Sequence, residues 1–176
     1  MTKISLFKTI PVLALVVAAT ARADVLESGA NGFVIEIAAD VSVSQAEAYV
    51  QFTRVNEWWD GDHSWFGSAD NFYLEPRIGG CFCEMHADKQ AQHMRVSFVE
   101  PTREIRLLGG LGPLQMMGVH GAMSWRFDEI EGGTRIVHRY AVSGFSKDGL
   151  DKLAPIVDAV QTGQVKRLAA RLNGEL

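Results

Sequence analysis

Residues 77–86 read RIGGCFCEMH and hold both cysteines of the chain, with a glutamate and a histidine just behind them. Three chemistries are open to such a cluster. Thiolates at Cys81 and Cys83 with a histidine from His63, His86 or His93 would make a soft site of the kind that holds Cu(I). A closed zinc site would want four ligands and two to four residues between the cysteines, and only one stands there. A disulfide is the second option, although on a straight strand residues two apart lie about 6.5–7 Å from Cα to Cα, the edge of what a disulfide spans. The third is packing. Cysteine is among the most buried residue types, and the expectation carried forward is two small apolar side chains in a cavity wall.

The facing of Glu84 decides its use. On a strand, Cys81, Cys83 and Met85 share one face while Phe82, Glu84 and His86 share the other. The following segment, HMRVSFVEP, sets Met94, Val96 and Phe98 against His93, Arg95 and Ser97. Matching apolar faces across an antiparallel pair puts the cysteines with Val96 and leaves Glu84 beside His93 or Arg95. A one-residue slip reverses this, so the facing stays open.

Two further polar groups look inward. In TRIVHRYAV, His138 and Tyr140 share a face with Ile136 and Val142; in VHGAMSWRF, Met123 and Trp125 share one with Gly121 and Phe127. A cavity bounded by Met123, Trp125, His138 and Tyr140 is mostly apolar with a few convergent polar groups, the usual form of a small-molecule site. A His–Glu or His–Tyr pair suffices for general acid–base catalysis, so Glu84, His138 and Tyr140 are the catalytic candidates. The competing reading of His138 is a core histidine satisfied by one hydrogen bond. Ligand contacts are expected from Trp58, Trp65, Glu84, Arg95, Met123, Trp125, His138 and Tyr140. Metal ligation would fall to Cys81, Cys83 and His86, and no cofactor is implied. GGLGPLQMMG (109–118) lacks the Lys-Ser/Thr ending of a phosphate loop and reads as a Met-bearing lid. His63 beside Asp62 makes no triad, since no serine sits in a nucleophile-elbow context.

The elements that must position these groups follow from periodicity. GFVIEIA (32–38) alternates as an opening strand. A helical pattern then begins behind Ser42 or Ser44 and runs to Trp58, followed by a polar loop over 60–71. Six short strands separated by Gly, Pro or acidic turns occupy 72–144. A long helix closes the chain, with Leu150, Leu153, Val157, Val160, Leu168 and Leu172 on one stripe. Pro155 suits its first turn and Asn173-Gly174 its stop. A curved antiparallel sheet of about six to seven strands with one apolar face needs a cover, and only that helix is long enough. The fold class is α+β.

The N-terminus bounds the compartment. MTKISLFKTI carries lysines and no acid, PVLALVVAAT is apolar, and Ala21-Arg22-Ala23 is a small-x-small cleavage box. Residues 1–23 read as a signal peptide, cleaved before Asp24, and 24–176 as one domain, periplasmic or secreted with no membrane span in the mature form. Cleavage removes three of the 17 basic residues and none of the 21 acidic ones, taking the net charge from −4 to −7. An acidic chain with no basic run argues against nucleic acid.

The order of elements resembles the SRPBCC superfamily, which includes START domains and birch-pollen allergens, and within it the polyketide-cyclase and heat-shock-ATPase-activator-like branch. The resemblance rests on Glu57-Trp58-Trp59, Leu74-Glu75-Pro76-Arg77-Ile78-Gly79-Gly80, Val99-Glu100-Pro101-Thr102 before Ile105-Arg106-Leu107, Gly133-Thr134-Arg135 and the closing helix. It implies a helix-grip fold with a deep cavity for an apolar or amphipathic small molecule. Trp58, Trp59, Trp65 and Phe66 fall where the family places the cavity mouth. Some members are cyclases, dehydratases or hydrolases and many only bind, so the fold implies a cavity and no particular reaction. Members that stimulate a chaperone ATPase find neither ATP nor that partner outside the cytoplasm.

Overall fold

The computed structural model describes residues 22–176; residues 1–21 of the leader expected over 1–23 lie outside them. Eight strands form one antiparallel sheet: β1 (Arg22–Gly29), β2 (Gly32–Val41), β3 (Phe72–Leu74), β4 (Cys81–His86), β5 (Lys89–Glu100), β6 (Glu104–Leu108), β7 (His120–Ile130) and β8 (Gly133–Ser143). Their spatial order is β1-β2-β8-β7-β6-β5-β4-β3. Helix α1 (Gln45–Thr53) follows β2, and α2 (Ala154–Leu172) closes the chain. This is the α+β helix-grip arrangement that the order of elements implies.

Seven of the strands carry a readable signal, and β1 does not. It is an edge strand with Val25 and Leu26 about half exposed, so burial imposes no period-two pattern on it. Ala23 lies opposite Ile37, and the Ala23–Asp24 bond falls within the strand. Helix α1 starts at Ser44, whose hydroxyl accepts from the Glu47 amide while the Glu47 carboxylate accepts from the Ser44 amide. It ends at Thr53, short of the expected span. A separate 3-10 turn over Val55–Glu57 then drops Trp58 and Trp59 into the interior.

The inner faces of β2, β7 and β8 supply the core: Ile35, Ile37, Trp125, Phe127, Ile136 and Tyr140 are all essentially closed to solvent. Tyr49 and Phe52 of α1 pack onto Phe127, and Phe52 onto Trp125. Helix α2 has Pro155 in its first turn and Gly174 at φ +74° just beyond its end. Its burial inverts the simple apolar stripe. Gln161 and Gln164 are buried with Val165 and Leu168, whereas Ile156 is exposed and Leu153, Val157 and Val160 only half-buried. Apolar side chains left open beside buried amides mark where the helix stands away from the sheet.

Register breaks decide the facing of β4 and β5. Phe82 pairs with Met94 but Cys83 pairs with Gln92, so His93 is the extra residue of a β-bulge. His93 and Met94 are therefore both buried, and Phe82, Cys83 and Glu84 form a buried run on β4. A second break between Val96 and Phe98 turns Phe98 outward, under the Arg106 guanidinium at 4.3 Å.

Candidate functional site

Glu84 is fully buried within β4, opposite Phe72 of β3. The polar loop over 60–71 folds across it. Its carboxylate accepts from the Trp65 amide at 3.0 Å, the Phe66 amide at 2.7 Å and the Ser64 hydroxyl. The ring of His93 completes the set, with Nε2 3.1 Å from Oε2. Burial raises its pKa, but these four bonds to the charged form outweigh it and hold the carboxyl below the usual glutamate range. Packing alone does not explain the loop sequence His63-Ser64-Trp65; the need to cradle this carboxylate does.

His93 is likewise buried, and desolvation depresses its pKa against the opposing pull of Glu84. Its ring stacks on Phe72 at 5.2 Å and meets the Trp65 edge at 5.1 Å. Nδ1 has no hydrogen-bond partner within the protein.

Beside His93 lies a recess of about 380 Å³ between the sheet, α2 and the 109–118 segment. Its walls are Trp59, Trp65, Phe72, Leu111, Leu114, Met117, Tyr140, Leu153, Ile156, Val157 and Val160, with Asp62, His63 and Ser64 on the loop side. Three lining residues carry a buried polar atom without a protein partner: Trp59 Nε1, His93 Nδ1 and Gln161 Oε1. Segment 109–118, expected as a lid, forms one wall and is tied down by Tyr140. The Tyr140 hydroxyl accepts from the Leu111 amide at 3.1 Å and donates to the Gly109 carbonyl at 3.3 Å. Gly121 permits this: a Cβ there would lie 2.5 Å from the Tyr140 ring and hydroxyl. Burial pushes the Tyr140 pKa up to about 12, so the phenol is neutral.

Of the expected ligand contacts, the structure places Trp65 and Tyr140 on this recess. Four others belong to the filled core. Trp58, Met123 and Trp125 line an interior gap of only about 20 Å³, and Trp58 Nε1 donates to the Phe52 carbonyl at 3.0 Å. His138 is closed off beneath Trp125, its ring centroid 4.2 Å away. The Ser124 backbone and the Gln161 side chain are its polar neighbours, yet neither ring nitrogen makes a well-formed hydrogen bond. The open space lies nearer α2 than expected, because the α1 and tryptophan side chains fill the sheet centre. Arg95 is excluded by facing: it is exposed, and its Nε donates to the Gly79 carbonyl at 3.2 Å. Glu84 faces inward but sits behind His93, off the recess wall. Glu84, His138 and Tyr140 do not form an acid–base set, since no two of them are hydrogen-bonded to each other and each has other neighbours.

The cysteines also depart from expectation. They are bonded to each other as a disulfide, with Cα atoms 5.3 Å apart. The irregular pairing at Phe82/Cys83 accompanies a spacing shorter than a straight strand gives, well inside the disulfide range. They lie on the face of β4 opposite Phe82 and Glu84, away from the recess, so they are not its wall. A bonded pair offers no thiolate, His86 is exposed at the strand end, and no cluster of three metal-ligating side chains occurs among the described residues.

Gln161 is the recess residue that the sequence reading does not name; Trp59 is expected only at the cavity mouth and His93 only beside Glu84 or as a metal ligand, neither as a ligand contact. Gln161 and Gln164 did leave a signal, two amides interrupting an otherwise apolar helix stripe. Gln164 accepts from the Asp60 amide at 2.9 Å and meets His63 Nδ1 at 3.2 Å, pinning the loop to α2.

No family model and no curated protein matches the sequence. Solved structures do. CalU16 of Micromonospora echinospora superposes with a TM-score of 0.56 at 14% identity, over 90% of this chain and 86% of that one. An uncharacterised protein from Rhizobium leguminosarum gives 0.54 at 18% identity, over 90% and 100%. Aha1 of Colwellia psychrerythraea, solved as a dimer, gives 0.57 at 13% identity, over 81% and 97%. Identities this low speak for the backbone and for no individual site residue. Among the described residues no helix is long and apolar enough to cross a membrane. The strand order, the covering helix and these superpositions together give the chain an α+β helix-grip fold.

Proposed function

We propose that this protein binds an apolar or amphipathic small molecule in the recess between α2 and the sheet. The observation that carries the reading is the recess itself, about 380 Å³ of space with mostly apolar walls and a few polar side chains, Asp62, His63 and Ser64, at one side. The half-exposed apolar residues of α2 support the same reading. An uncharged fluorescent probe such as N-phenyl-1-naphthylamine should bind and quench tryptophan emission, since Trp59 and Trp65 line the space. Val160→Trp should fill the space and abolish binding while the circular dichroism spectrum is unchanged. A probe that ignores the wild type, or binds Val160→Trp equally well, would sink the reading.

Export belongs to the same proposal, supported by the residue pattern of 1–23. Cleavage before Asp24 would shorten β1 by two residues and leave Asp24–Gly29 paired to β2. Intact mass of protein recovered from the periplasm should correspond to a chain beginning at Asp24; a chain retaining Met1 there would refute it.

A further inference from the structure

The Cys81–Cys83 disulfide is poorly suited to holding the fold together. Both cysteines belong to β4, which its ladders to β3 and β5 already fix, so the bond links no two elements. With one residue between them it closes a very short loop, and the freedom a disulfide takes from the unfolded chain grows with loop length. It also draws the strand in. Residues two apart on an extended strand lie about 6.5–7 Å from Cα to Cα, against 5.3 Å here, and the pairing with β5 slips at the same place. Reduction would let β4 extend. A bond whose loss relaxes its strand is reduced more readily than one that fits its backbone unstrained.

The surroundings favour attack at one end of the bond. Cys83 is 6% exposed, and Cys81 is the more open of the two. Arg95 stands opposite Cys81 on β5 and projects to the same outer face, exposed to solvent. Glu75, whose carboxylate accepts from the Cys81 amide at 3.1 Å, is itself paired with Arg77 at 3.1 Å. An incoming thiolate therefore meets the more open residue with guanidinium charge beside it, the electropositive setting that favours thiol–disulfide exchange.

We propose that Cys81–Cys83 is a redox-active disulfide that oxidises dithiols by exchange, with Cys81 as the point of entry. A thiolate of the dithiol attacks Cys81 Sγ, the bond to Cys83 breaks, and Cys83 leaves as a thiolate and takes up a proton. The second thiol, giving up its proton, attacks the mixed disulfide and expels Cys81, which is protonated in turn. The dithiol ends as a disulfide, and its two electrons and two protons end on the cysteine pair. The pair lies on the face of β4 away from the recess, and the proposal does not depend on the ligand reading. Glutathione is the probe, two molecules standing in for one dithiol. The native wild type is equilibrated at pH 7.5, quenched by alkylation and read by intact mass. In about 10 mM glutathione with about 1 mM of its disulfide, at least half the protein should be reduced, where a structural disulfide would be less than about 1% reduced. Glutathione disulfide should modify Cys81 in Cys83→Ser at least about tenfold faster than it modifies Cys83 in Cys81→Ser. A pair that stays oxidised in that buffer, or two free thiols in the wild type after air oxidation, overturns the proposal. Equal rates in the two serine variants, or a faster Cys83, overturn Cys81 as the point of entry; should a variant fail to fold, the wild-type equilibrium still decides the activity.

Discussion

Replacing Glu84 by alanine is expected to cost about 4 kcal/mol, since four donors lose one buried acceptor together. The Ser64 hydroxyl, the Trp65 and Phe66 amides and His93 Nε2–H all point at that carboxylate, which is closed to solvent. His93 is buried and has nowhere else to turn, while Ser64, Trp65 and Phe66 sit on the covering loop and lose the contact that fixes it. A loss of this size is a large share of the roughly 5–15 kcal/mol that holds a domain folded. Glu84→Gln keeps the volume and one acceptor oxygen but opposes an amide N–H to a donor, and should cost about half as much. The check is equilibrium urea unfolding of both variants at pH 7, with hydrogen exchange of the Trp65 and Phe66 amides. Their protection should collapse in Glu84→Ala and fall partway in Glu84→Gln. A loss below about 1 kcal/mol in the alanine variant would mean that the 60–71 loop is held by other contacts.

The same residue shows where sequence reasoning runs out. That β4 and β5 are strands follows from length and turns, and so do the pairing direction and the inward side of β7 and β8. Period two then assigns each side chain a face, and a single bulge spoils the assignment. At Phe82/Cys83 the register slips by one, which brings His93 into the interior beside Glu84. Nothing local in HMRVSFVEP announces that slip. Position of empty space is harder still, because it is what remains after every side chain is seated. Met123 and Trp125 do face inward as their alternation requires, yet Phe52 and Trp58 crowd against Trp125 and close that region. Tyr140, one alternation step from His138 on β8, reaches the recess, whereas His138 lies under Trp125. The glutamines of α2 are a further clue to the location, beside Trp59 and Trp65 at the expected cavity mouth. An apolar stripe broken by Gln161 and Gln164 has a reason only if the helix faces something polar there.

His138 should make the protein acid-sensitive in a defined window. Its ring is fully buried, and desolvation drives its pKa down to about 4, against about 6.5 for a free histidine. The unfolded chain therefore binds a proton as pH falls below about 6.5 while the folded chain resists doing so until about 4. Stability contributed by the neutral ring is fully present above that window and is lost through it, by about 3 kcal/mol in all. Below the folded pKa both states are protonated and the loss stops growing. His93, also depressed by burial, adds a loss of the same sign beginning at the same unfolded value. Glu84, held low by its four donors, adds another only at lower pH, where the unfolded carboxyl begins to protonate. Subtraction isolates the His138 share. Unfolding free energy measured from pH 7.5 to 4 should fall more steeply in the wild type than in His138→Leu, by about 1.4 kcal/mol per pH unit at mid-window. Leucine keeps an apolar contact with Trp125 and carries no titrating group, so the variant should be the more stable of the two near pH 4.5. Parallel curves for the two proteins would show that His138 takes up its proton in the folded state near the ordinary value, through a partner or water that reaches the ring.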